Sequence, residues 1–183
     1  MISVWNEIVR EGDTFPQEEL LDTKSGAAFF AAQDFTGIYL DEQGNLCGLY
    51  ILHPSNVGRC GHICSASFAL SQDQNKTQIS EALVKHCIMI ARAMNYRILQ
   101  FDAAAESNTN ARTLYERLGF HPLGTIPNGF RMKDGRYENI CPYYFSLGNT
   151  AYIEKISDSK EKHPTNKPSV IEIWKLSILL DTI

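Results

Sequence analysis

Two side chains able to accept a proton and one able to donate it fall in the middle of this chain. Glu106 offers a carboxylate and His62 an imidazole, and either could deprotonate a bound nucleophile through a water. Tyr115 carries a phenolic hydroxyl that can donate a hydrogen bond. Each also has a plain structural reading: Glu106 as a first-turn helix carboxylate, His62 as a half-buried strand residue, Tyr115 as a core aromatic. Cys60, His62 and Cys64 alternate along the chain, but zinc sites use other spacings and a second ligand cluster, so no metal is expected.

These groups must be held by the elements around them. Ala111, Leu114, Tyr115 and Leu118 fall at i, i+3, i+4 and i+7, one face of a short helix. Ser107 or Asn108 can cap its start, and Gly119 stands where a left-handed stop residue is wanted. Upstream, residues 98–104 read as a mostly buried strand, so a ligand could sit where strand gives way to helix. Earlier, apolar spacing predicts helices over residues 2–10 and 17–32, the second with Leu20, Leu21, Ala27, Ala28 and Phe30 as inward positions and Gly26 as a weak point. A hairpin spans residues 35–52 and a polar loop follows from His53. Residues 61–70 form a strand with His62, Cys64, Ala66 and Phe68 on one face. The long helix over residues 78–94 has Ile79, Leu83, Cys87, Ile90, Ala91 and Met94 in one stripe. Strands are predicted from Leu123 and over residues 137–147, around a turn at Lys133–Arg136.

The pattern Asn108, Ala111, Leu114-Tyr115, Leu118-Gly119-Phe120 resembles the acetyl-CoA-binding segment of GNAT-superfamily acetyltransferases. The order of elements from about residue 3 to 147 is also similar to theirs. The resemblance implies an α/β (α+β) fold: a mixed, mostly antiparallel sheet with a splayed parallel strand pair and helices on both faces. The strand with which such domains usually begin has no counterpart here. By the same resemblance, Asn108 contacts the cofactor and Tyr115 protonates the departing thiolate. The free amides of Phe68, Ala69 and Leu70 meet the pantetheine and the thioester carbonyl, and residues 13–16 lie near the substrate pocket. The pyrophosphate falls to the start of the long helix, at Asn75, Lys76, Thr77, Gln78, Ile79 and Ser80. That segment lacks the family's basic lead residue and its glycines, and Gln78 stands where backbone should approach phosphate closely. Asn75 with Gln78 also reads as an ordinary capped helix start.

Bulk properties leave this reading open and close others. The chain has 183 residues, 44% hydrophobic and 21% charged, with a net charge of −4, which suits one soluble domain without general attraction for nucleic acid or anionic membranes. No apolar run approaches the ~20 residues that a membrane-spanning helix needs. Five scattered cysteines without a C-x-x-C pair fit a reducing, cytoplasmic setting.

The expected organisation is an acetyltransferase domain over residues 1–147 and, over residues 148–183, a polar linker with an apolar tail. That tail could dock on its own domain or on a second copy and cover the sheet edge left open by the missing strand, or be an extension foreign to the fold. The expected function is acetyl-CoA-dependent N-acetylation of a primary amine on a small molecule or amino-acid-like acceptor. Alternatives are a weak or inactive binding module on the same scaffold, or acetylation of a protein N-terminus. A homodimer is common in the family.

Overall fold

The computed structural model describes residues 1–71, 76–148 and 170–173. The chain opens with helix α1 (Ile2–Glu11) and helix α2 (Thr23–Ala31), then runs β1 (Phe35–Leu40), β2 (Leu46–Pro54) and β3 (Ile63–Leu70). Helix α3 (Lys76–Ala93) leads to β4 (Ile98–Phe101) and helix α4 (Thr109–Arg117), followed by β5 (His121–Pro122), β6 (Ile126–Arg131), β7 (Tyr137–Ile140), β8 (Tyr143–Ser146) and β9 (Val170–Ile173). Seven strands form one sheet in the order β5-β8-β4-β3-β2-β1-β9, and β6 pairs with β7 in a separate ribbon. Among the described residues no helix is long and apolar enough to cross a membrane.

Alternation along the strands divides the core in two. Leu49, Ile51 and Ala69 face α1 and α2, where they pack with Trp5, Ile8, Val9, Phe15 and Phe30. Tyr50, Leu52, Cys64 and Ala66 face the other way, toward Leu83, Val84 and Cys87 of α3 and Leu114 of α4. Helices thus cover both faces of the sheet, as expected.

Three details differ from the sequence expectation. The second helix begins at Thr23, because Asp22 and Ser25 form a reciprocal capping box there, with Asp22 Oδ1 accepting from the Ser25 amide at 2.7 Å. The chain before it is fixed from α1: Asn6 donates to the Leu21 carbonyl at 2.8 Å and accepts from the Leu21 amide at 2.9 Å. Leu20, Ala27 and Ala28 therefore lie exposed, and Gly26 is buried at the helix contact. A Cβ on Gly26 would sit 2.5 Å from Ile2, so this glycine allows close packing rather than marking a weak point. Finally, residues 137–147 are two strands, because Pro142 has no N–H to continue a ladder; β7 joins the ribbon and β8 the main sheet.

The feature that matters for function is the break between β3 and β4. They pair in parallel from Ile63↔Ile98 to Ser65↔Gln100 and no further, while β3 continues to Leu70 against β2. Past that point the sheet is splayed. At its far edge β9 pairs antiparallel with β1, from Thr36↔Ile173 to Tyr39↔Val170, so four residues of the tail lie along the outer edge of β1.

Candidate active site

Hydrogen-bond parity along β3 decides which backbone groups face the splay. Ser71 N–H donates to the Cys47 carbonyl at 2.9 Å and Ser55 N–H to the Ile63 carbonyl at 2.9 Å, so the odd-numbered residues of β3 bond to β2. Phe68 and Leu70 therefore turn their backbone groups to the open side, where β4 has already departed. Ala69, grouped with them in the sequence, turns its amide to β2.

A cavity of about 260 Å³ occupies this gap and passes from one face of the sheet to the other. The α1–α2 loop closes one side with Thr14, Phe15, Pro16 and Gln17, and Asn108, Ala111 and Tyr115 of α4 close the opposite side. Helix α4 starts here because Asn108 Oδ1 accepts from the Ala111 amide at 3.2 Å. Its far end is tied to β8 through Tyr143, whose hydroxyl donates to Glu116 at 2.9 Å and accepts from Arg112 Nε at 3.3 Å. Asn108 is thus both cap and cavity wall.

Tyr115 is at once a packed aromatic and part of the cavity wall. Its ring packs on Phe101 with centroids 4.6 Å apart and on Phe120 at 5.6 Å, while its hydroxyl has no hydrogen-bond partner among the described residues. Desolvation, with smaller contributions from Cys87 and Tyr143, raises its pKa above the usual phenol value. The group is a fixed, persistently protonated donor on the cavity wall.

Neither proton acceptor picked from the sequence lines this cavity. His62 lies exposed just before β3, its carbonyl accepting from the Arg97 amide at 2.9 Å. It precedes Ser65, where the pairing with β4 ends, by three residues and Phe68 by six, so at roughly 3.3 Å per residue it lies about 10 Å from the start of the splay and about 20 Å from Phe68. Glu106 points outward and accepts from Asn139 Nδ2 at 2.8 Å, tying the loop before α4 to β7. The cavity instead holds His53 and Asp102. His53, the next-to-last residue of β2, stands opposite Ser65, on the same face as Leu49 and Ile51 and the α1–α2 loop. Its Nδ1 is 3.1 Å from the Pro54 carbonyl, and an N–H donated there leaves Nε2 as a bare acceptor. Strand alternation carried one residue beyond Leu52 would have found it. Asp102 sits where β4 has ended and accepts from Gln100 Nε2.

The proposed phosphate segment divides. Asn75 lies outside the described residues. Lys76, Thr77 and Gln78 are exposed at the first turn of α3, where helix amides lack partners, so an anion can approach. The Ile79 side chain is buried in the core, and the Ser80 hydroxyl donates to the Lys76 carbonyl at 2.5 Å, leaving only their backbone for a ligand.

A second cavity, of about 640 Å³, adjoins the first and shares Phe15, Pro16 and Gln17 with it. Its opposite wall is the β6–β7 ribbon, from Gly129 to Lys133 and Gly135.

Comparison with known proteins matches residues 3–120 to the Acetyltransferase (GNAT) family. The chain is similar to the N-acetyltransferase aca1 of Schizosaccharomyces pombe, 28% identical over 102 residues, which cover 56% of this chain and 49% of that protein. It thus spans about half the length of that relative. Among solved structures it resembles a GCN5-related N-acetyltransferase from Kribbella flavida, with TM-score 0.73 and 25% identity over 80% of this chain and 89% of that one. It also resembles a GNAT superfamily phosphinothricin acetyltransferase from Sinorhizobium meliloti in complex with AcCoA, with TM-score 0.74 and 18% identity over 91% and 87%.

Proposed function

The chain belongs to the acetyltransferase (GNAT) family, and on that premise we propose that it transfers an acetyl group from acetyl-CoA directly to a primary amine of a small acceptor. The observation that carries this is the through-sheet cavity at the β3/β4 splay, with open backbone on one wall and the unpartnered Tyr115 hydroxyl on another. The residues present fit such a co-substrate. A polar chain could pair with the backbone that β4 leaves bare, and a charged end could reach the first turn of α3, where Lys76 supplies a cation.

Acetyl-CoA supplies the acetyl group as an activated thioester. Phe68 or Leu70 N–H, facing the open side of β3, would donate to the oxygen on which negative charge develops. His53 Nε2 would take the proton that the amine loses as its nitrogen bonds to the acetyl carbon, with the thiolate as the group that leaves. The Tyr115 hydroxyl donates a hydrogen bond to the departing thiolate. A thiol has a pKa of about 8.5 and a phenol about 10, so complete transfer from Tyr115 is uphill by about 2 kcal/mol before burial widens the gap. Its main role is therefore hydrogen-bond donation, and the thiolate can leave as the anion.

Acetyl-CoA-dependent release of free thiol, measured across primary amines with mass analysis of the products, tests this function. Acetylated amine appearing in step with thiol supports it; thiol release without acetylated amine refutes it. The other reading, a binding module that has lost catalysis, has one observation in its favour: no glycine stands in residues 76–80, and Gln78 is an exposed side chain in the first turn of α3.

A further inference from the structure

We infer that the acceptor carries an anion as well as its amine, as a free amino acid does, with the anion held in the second cavity. This rests on the acetyltransferase reading and specifies its substrate. Among the described residues Arg10, Arg131 and Lys133 line that cavity against one carboxylate, Glu18. Arg131 pairs with Glu18, but their side chains are 57% and 72% exposed, so solvent screens the pair and an incoming anion can compete for the guanidinium. Lys133 donates to the Arg10 carbonyl at 2.7 Å, closing the end of α1 and leaving two ammonium protons for a ligand. Neighbouring acids are engaged elsewhere or lie off the wall: Asp134 pairs with Arg136, and Asp13 accepts from Thr14.

The junction of the two cavities supplies the other half. Gln17 lines both, and its buried Oε1 has no hydrogen-bond partner among the described residues. A buried amide oxygen without a donor costs stability unless something supplies one, and an acceptor's amine does so. An amine placed there lies between Gln17 and the cavity that holds His53, and its molecule extends into the cationic groove. A neutral amine would satisfy Gln17 and leave the cations unused.

The test compares free amino acids with the same compounds as C-terminal amides, which keep the amine and lose the carboxylate. With acetyl-CoA present, the acids should show kcat/KM roughly tenfold or more above their amides. Arg131→Gln should reduce that preference by raising KM for the acids. Glu18→Gln, which frees Arg131, should increase it. Amides accepted as well as acids, or a preference unchanged in both variants, overturns the inference while leaving acetyl transfer intact. A second readout needs no acetyl-CoA: the acids, titrated alone, should shift the amide resonances of Gly129–Lys133. Failure of those resonances to move with any acid also overturns the inference, even if the chain proves not to be an acetyltransferase.

Discussion

Replacing Tyr115 with phenylalanine removes one hydroxyl and keeps the ring. The contacts to Phe101 at 4.6 Å and Phe120 at 5.6 Å remain, and no described residue loses a hydrogen bond, so stability should stay within about 0.5 kcal/mol of the natural chain. Activity should change far more. A hydrogen bond to a charged group contributes about 1.5–3 kcal/mol, and this one matters only as negative charge gathers on sulfur. The expected loss is roughly 10- to 150-fold in kcat, with acetyl-CoA affinity unchanged. Thiol release under saturating acetyl-CoA reads the first quantity and calorimetry the second.

The pH dependence of this variant carries a sign. Desolvation raises the Tyr115 pKa, so its hydroxyl stays protonated while α-amines, with ordinary values of about 7.7–8.0, lose their proton. Activity should therefore rise with pH and hold, with no falling limb assignable to Tyr115 below pH ~10. The folded state favours the neutral phenol. Its contribution to stability is complete below the unfolded value of about 10 and declines as pH climbs toward the raised folded value, so Tyr115→Phe should unfold less readily in alkali than the natural chain. A variant within twofold of natural kcat, or one that abolishes a falling limb near pH 9, would refute the assigned role.

Other variants probe the remaining walls. His53→Gln should lower kcat/KM by roughly 10²- to 10⁴-fold, with partial recovery in added imidazole, whereas Asp102→Asn should have a much smaller effect; steady-state kinetics checks both. Asn108→Ala removes the cap bond at 3.2 Å and should cost about 1 kcal/mol, read as a fall in Tm of a few degrees. Removing residues 149–183 takes β9 off the sheet and bares the β1 backbone from Thr36 to Tyr39, so Tm should fall and mass in solution should rise with concentration. An unchanged Tm and mass would show that this edge needs no cover.

What the sequence disclosed was what short-range pattern encodes. Helix α4, its Asn108 cap and the inward Tyr115 follow from residues within eight positions of one another, and the parallel pairing of β3 with β4 follows from the order of elements. The second helix is shorter than its sequence pattern, because apolar residues at 20 and 21 continue a helical spacing that the structure does not follow. The bonds from Asn6, fifteen residues back, that hold Leu21 outside the helix leave no local mark. His62 and Glu106 lie off the cavity for a geometric reason. Residue type made His62 and Glu106 attractive, but reach depends on distance along a strand and on which end splays. His53 was obscured because it stands at a strand terminus beside Pro54, where pattern and loop composition disagree.

The central claim is that the β3/β4 splay binds acetyl-CoA, and titration of the isotopically labelled chain with acetyl-CoA, followed by amide NMR, tests it most directly. The natural chain and Gln78→Gly should be compared. Binding near micromolar, about −8 kcal/mol, with the resonances of Phe68, Leu70, Ala111 and residues 76–78 moving and those around His62 still, is the predicted result, and Gln78→Gly should bind at least as tightly. Shifts confined to other parts of the chain, or no binding by either protein, would contradict the account.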